Sequence, residues 1–93
     1  MERLTKKLNK DYYVACGAVL RQEGDSFGGE AINRLAGFEN MYEDLVLKQG
    51  EIAKELEKLR LEDKTHSVKF KQLLGNKLLN NEILILLKQY GIE

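Results

Sequence analysis

Eight residues in the middle of the chain, Leu35, Phe38, Tyr42, Leu45, Gln49, Ile52, Leu56 and Leu59, step by alternating threes and fours, and seven of the eight are apolar. That spacing keeps one seam of a helix turned toward a partner helix. Glu and Lys are dense between the seam positions, as in KQGEIAKELEKLRLEDK. Of three pairs four apart, Glu51–Glu55 and Lys54–Lys58 repel and Glu30–Arg34 attracts, each by about a few tenths of a kcal/mol. The helix therefore rests on its periodicity and not on its surface charges.

The stretch DSFGGEAI marks where this helix begins. With Gly28 as cap, Phe27 and Ile32 take the positions of a hydrophobic staple, and Glu30 lies in the first turn, where the helix dipole favours an acid. The expected helix, 28–62, is roughly 50 Å long, more than a compact domain of this size needs, so it requires a partner along its seam. Gln49 and Gly50 interrupt it near the middle. A polar seam residue fixes register at a cost in stability, and the glycine is a point where the helix could bend.

EDKTHS reads as a turn, with Thr65 or Ser67 as the cap of a second helix over 67–90. At 100° per residue, Phe70, Leu73, Leu74, Leu78, Leu84 and Ile85 group on one broad stripe suited to the long helix. Val68, Leu79, Ile83, Leu86 and Tyr90 fall on the opposite side, where a two-helix hairpin has nothing to cover them. Leaving side chains of this kind wet forfeits about 1.5 to 3 kcal/mol each, and contiguous patches of that size mark interfaces. Two resolutions stay open at this level. One is a homo-oligomer, dimer or higher, with its contact on Leu79, Ile83, Leu86 and Tyr90. The other is a break near 80–81, with Asn80 or Asn81 capping a third helix that folds back.

The first 25 residues differ in character. DYYVACGAVLRQEGD is rich in Tyr and Val, residues that suit a pleated surface, with Gly17 and Gly24 as punctuation. Either RLTKKL pairs with YYVAC across NKD, or the turn lies at Cys16 and Gly17. The expected fold class is mainly α (α+β): one domain over 1–93, with a long antiparallel helical hairpin and a small N-terminal β-hairpin.

Charge and composition narrow the function. The 15 basic and 15 acidic residues cancel, which argues against both an acidic polyanion mimic and a basic nucleic-acid binder. Residues 1–22 carry +3, 23–29 carry −2, 30–62 carry −3 and 63–93 carry +2, a distribution that favours folding back. One cysteine, Cys16, and one histidine, His66, exclude an internal disulfide and a Cys/His metal cage within one chain. Cys16 is expected as a small buried side chain and His66 as an exposed turn residue, so no catalytic residue, metal or cofactor is assigned. No apolar segment is long enough for a signal peptide or membrane span; a cytoplasmic, non-membrane protein is expected.

Two weaker features remain. Gly28 and Gly29 ahead of a helix could offer N–H groups to an anion, yet the surroundings match neither a Walker loop nor a dinucleotide fingerprint. Lys6, Lys7 and Lys10 beside Tyr12 and Tyr13 combine the ingredients of a single-strand binding surface, which the net neutrality disfavours.

The opening MERLTKKL, followed by INRLAGFENMYEDL, resembles small accessory proteins of phages and prophages of Gram-positive bacteria. These often begin with a Met-Glu-Arg-Leu-Thr run and carry an Arg-Leu-Ala-x-[Phe/Tyr]-Glu core. The tail KTHSVKFKQLLGNKLLNNEILILLKQYGIE is similar to those of one subgroup, and residues 11–24 depart most from the pattern. The resemblance implies a protein of the infected host's cytoplasm that binds and blocks a host protein, such as a CRISPR effector, sterically and without enzymatic chemistry. Tyr12, Tyr13, Arg34 and Met41, of side-chain types enriched in interfaces, are the expected partner contacts. A nucleotide-signal sponge and a non-inhibitory helical adaptor are the alternatives.

Overall fold

The computed structural model describes residues 1–93. Four short strands are followed by two helices, in the order β1 (Thr5–Asn9), β2 (Tyr12–Ala15), a 3-10 turn (Gly17–Val19), β3 (Arg21–Glu23), β4 (Ser26–Gly28), α1 (Glu30–Leu61) and α2 (Val68–Gln89). The α+β class, with its helical hairpin, is as expected. The chain divides into two compact units, Met1–Glu39 and Asn40–Glu93, and α1 runs from the first into the second.

In the N-terminal unit the sequence left open which of two turns closes the hairpin, and the pairing across NKD is the one adopted, the Cys16–Gly17 turn serving only as a link to β3. β1 pairs antiparallel with β2, with Lys7 opposite Tyr13 and a register shift between Lys7 and Asn9. Cys16 then opens the 3-10 turn, its carbonyl accepting from Val19 N–H at 3.0 Å. Cys16 is exposed, contrary to expectation, because this turn lies outside any core.

A second hairpin, β3–β4, was not anticipated. Glu23 sits opposite Ser26, and the two-residue loop Gly24–Asp25 has Gly24 at φ +62. A positive φ at the first loop residue alone is the II′ pattern, whose twist matches that of the strands.

α1 begins one residue later than the staple reading requires. Gly29 is the cap: its carbonyl accepts from Asn33 N–H at 3.0 Å. Its φ is +106, and a Cβ there would lie 2.8 Å from the Val19 carbonyl oxygen. Only glycine meets both conditions. Phe27 is therefore shifted out of the staple position and remains exposed.

α1 continues without a break through Gln49 and Gly50. Gly50 is exposed and a Cβ there would meet nothing within 4 Å. Gly50→Ala is expected to stabilise the protein by about 0.5 to 1 kcal/mol, the backbone-entropy difference in a helix interior; urea denaturation reads it as a higher midpoint at unchanged slope.

The turn between the helices is fixed at both ends. Asp63, at φ +57, ends α1, with Lys64 N–H bonding to Leu59 O at 2.8 Å and Asp63 N–H to Arg60 O at 3.0 Å. This is a Schellman motif with Asp where glycine is commonest. Ser67 caps α2, its hydroxyl oxygen accepting from Phe70 N–H at 3.1 Å.

α2 is continuous through Asn80 and Asn81, so the expected alternative of a separate third helix is not adopted. At its C-terminus Gly91 has φ +82, and Ile92 N–H bonds to Leu87 O at 2.9 Å.

The 40–93 unit holds the chain's only fully buried cluster: Leu56, Leu59 and Phe70, with Ile52 and Leu73 packed against it. Residues of the α1 seam, Tyr42, Leu45, Gln49, Ile52, Leu56 and Leu59, are all buried or half-buried. Arg60 adds its guanidinium over the Phe70 ring at 5.6 Å. The antiparallel register is fixed by Gln49, whose side-chain N–H donates to Lys77 O at 3.1 Å, and by Lys69 and Glu55 at 2.9 Å.

Candidate functional site

The side of α2 facing α1 is not the one that apolar sorting selected. It follows Phe70, Leu73, Lys77, Asn80, Leu84 and Leu87, all buried or half-buried. These also alternate threes and fours, with two polar residues in the middle opposite Gln49. Leu74 and Leu78, expected on this side, are exposed instead, while Ile85 is only partly covered, beside Tyr42 and Val46 of α1. Lys77 can occupy a seam because its aliphatic stem packs while its ammonium reaches water.

The polar centre carries an uncompensated cost, since Gln49 Oε1 is buried with no hydrogen-bond partner. A buried acceptor left unsatisfied costs about 1 to 3 kcal/mol. Gln49→Leu is therefore expected to raise stability by about 1 to 2 kcal/mol despite losing the bond to Lys77 O. Chemical denaturation tests this, and a loss of stability would show that the amide contributes more than register.

Glu55 and Lys69 hold the two helices together from the surface. Their hydrogen bond, and then their charge attraction, lower the Glu55 carboxyl and raise the Lys69 ammonium from their ordinary values. With the carboxyl lowered in the fold, the pair's contribution is present above the unfolded carboxylate range and is lost as pH falls through the folded value. At the alkaline end the raised lysine keeps it until pH passes the unfolded lysine range.

Turned away from α1, α2 presents a second apolar surface. Leu78 and Leu79 are each 60 % exposed, Ile85 46 %, Leu86 54 % and Tyr90 79 %. Of the four residues expected at an oligomer contact, Leu79, Leu86 and Tyr90 lie on this open surface, and Ile83 is half-buried at its margin. Leu78 belongs to the surface as well, and Ile85 stands at its edge, where it also borders Tyr42 and Val46 of α1. Eleven residues from Leu78 to Lys88 thus carry apolar groups on opposite sides of a helix whose partner within the 40–93 unit is α1.

No protein-family model, curated protein or solved structure matches the chain. The arrangement of its own residues is what supports a reading.

The expected partner contacts are dispersed. Tyr12 and Tyr13 are exposed on β2, with the Arg3 guanidinium 5.6 Å from the Tyr13 ring centre. Arg34 is drawn into its own unit: it donates to the Glu2 carbonyl and lies 3.9 Å from the Glu30 carboxylate. Met41 is on α1 in the other unit and is 38 % exposed.

Gly28 and Gly29 have structural duties at the end of β4 and the cap of α1. His66 is an exposed turn residue, as expected. No helix is long and apolar enough to cross a membrane.

Sequence reasoning missed a cavity in the N-terminal unit, of about 280 Å³, walled by Leu4, Ala31, Leu35 and Phe38 with Arg3 and Arg34 at its edge. Leu35 and Phe38, assigned to the α1 seam, line this cavity within the N-terminal unit instead. The three-four periodicity continues unchanged into this region, so it gives no sign of the change of partner.

Proposed function

We propose that the protein is a self-associating helical hairpin that binds and sterically blocks a host protein, an anti-CRISPR-like inhibitor of the host cytoplasm with no covalent chemistry or cofactor of its own. The observation that carries the self-association is the open apolar surface of α2.

Occlusion of a host protein rests on the resemblance to phage accessory proteins and on the exposed aromatic pair Tyr12 and Tyr13 beside Arg3. In a host carrying an active CRISPR effector, expression of the chain is expected to restore plaques of a targeted phage. Tyr12→Ala/Tyr13→Ala should abolish the effect without changing the melting temperature. Targeting that persists at full strength across effectors of several types would remove the inhibitor reading and favour the helical adaptor.

The cavity beside Arg3 and Arg34 favours one second reading, a sponge for a nucleotide signal, with phosphate on the guanidiniums and base against Phe38. A cyclic nucleotide at a hundred times its Kd would add about 2.7 kcal/mol of stability. A panel of cyclic nucleotides that leaves the melting temperature unmoved eliminates this reading.

A further inference from the structure

α2 contains one acid, Glu82, and four lysines. Three of the lysines are engaged within the chain. Lys69 bonds Glu55 at 2.9 Å, Lys88 lies 3.7 Å from Glu93, and Lys77 is half-buried on the side facing α1. Lys71 and Glu82 remain, both exposed and neither in a salt bridge within the chain.

These two charges share a line. At 3.6 residues per turn, eleven residues amount to three turns plus about 20°, so Lys71 and Glu82 project from α2 in nearly the same direction. Glu82 falls in the middle of the open apolar surface, with Leu78 and Leu79 one turn before it and Ile85 and Leu86 one turn after. A carboxylate there must be desolvated when the surface is covered, which is unfavourable unless a cation meets it.

We propose that the occupant of this surface is a second copy of α2 packed antiparallel, about a two-fold axis passing between Asn76 and Lys77, so that Lys71 of each copy pairs with Glu82 of the other. The inference rests on the self-association reading and adds its orientation and register. Charge complementarity selects them. A parallel pair sets Glu82 against Glu82 and Lys71 against Lys71, two repulsions, whereas the antiparallel pair makes two attractions, and symmetry supplies both at once.

The same register makes the apolar residues complementary. Leu78 of one copy falls opposite Gly75 of the other, and Leu79 opposite Leu74. A Cβ at Gly75 would meet nothing within 4 Å, so the helix is open on that side, and a leucine can seat against bare backbone there. Gly75, unfavourable for a helix interior, thereby gains a packing role.

The test uses the full chain with Lys71→Glu and Glu82→Lys, purified separately and then mixed. Both substitutions are at exposed positions, and far-UV circular dichroism verifies that each variant keeps its helix content. Each alone is expected to weaken self-association at least tenfold in sedimentation analysis, since every cross-copy pair becomes like-charged. The equimolar mixture is expected to form a heterodimer, seen in native mass spectra, with affinity within a few-fold of wild type, because both of its pairs are again opposite in sign.

If either variant alone associates as wild type does, or if the mixture shows no recovery, the antiparallel register is overturned while self-association stands. A wild-type chain that is monomeric at high micromolar concentration overturns both. Independently, in a Cys16→Ser background, Lys71→Cys and Glu82→Cys chains mixed under oxidation should cross-link to each other; cross-linking of Lys71→Cys to itself in preference would indicate the parallel arrangement and reject the proposal.

Discussion

Leu56→Ala is expected to destabilise the protein by about 3 to 4 kcal/mol. Leu56 is 1 % exposed, and the buried cluster it centres contains only two other residues, Leu59 and Phe70. Truncating a buried leucine removes its transfer free energy and leaves a cavity, together about 2 to 5 kcal/mol. Domains of this length are stable by roughly 0.05 to 0.15 kcal/mol per residue, and a core this small belongs near the lower end. The variant should therefore melt about 15 °C or more below wild type and be largely unfolded in modest urea. Leu61→Ala is the control: Leu61 is on the same helix but 81 % exposed, and its loss should change stability by less than about 0.5 kcal/mol. Similar effects for the two would mean that the 56–59–70 cluster does not hold the hairpin together.

Leu79→Glu should act on assembly and leave the hairpin folded. Leu79 is 60 % exposed, on the side of α2 away from Leu56, and falls opposite Leu74 of the second copy in the antiparallel register. A carboxylate placed there is solvated in the separate chain and must be desolvated in the assembly, beside the acid Glu82 one turn away. The expected loss is about 3 kcal/mol or more, a hundredfold or greater in dissociation constant. Wild type should melt at a temperature that rises with protein concentration, as association requires, and Leu79→Glu should lose that dependence while keeping its helix content. A variant with wild-type hydrodynamic size would show that α2 is not the contact.

The two substitutions separate folding from assembly, and the same division governs what the amino-acid sequence makes legible. Periodicity located α1 to within two residues at each end, since seam residues such as Leu45, Ile52, Leu56 and Leu59 have one partner helix to satisfy. Thr65 and Ser67 were both legible as caps of α2, each offering a hydroxyl ahead of the helix, and Ser67 takes the role.

α2 was harder, because apolar residues occupy both of its sides and sorting by hydropathy alone merges them. The side facing α1 passes through Lys77 and Asn80, which no apolar criterion selects, while Leu78 and Ile85 are apolar and exposed. The three-four spacing from Phe70 through Leu73, Lys77 and Asn80 to Leu84 and Leu87 contained the correct seam, and tolerance of polar residues at its centre, as at Gln49, was what finding it required.

The β3–β4 hairpin was signalled by Gly24-Asp25 between QE and SF, a pairing of turn residues with two-residue hairpins. With strands only three residues long, it gives no alternation to reinforce that turn. Gly29 depended on the approach of Val19, a contact between segments that spacing along the chain does not express. The cavity near Arg34 likewise arises where Leu4 meets Leu35 and Phe38, residues some thirty positions apart.

Sedimentation equilibrium on the wild-type chain, from low to high micromolar concentration, tests most directly whether α2 covers its second surface with another copy. A mass rising to at least twice 10.7 kDa, with the rise abolished by Leu79→Glu, is the predicted result. A single species of 10.7 kDa throughout, with a melting temperature indifferent to dilution, would contradict it.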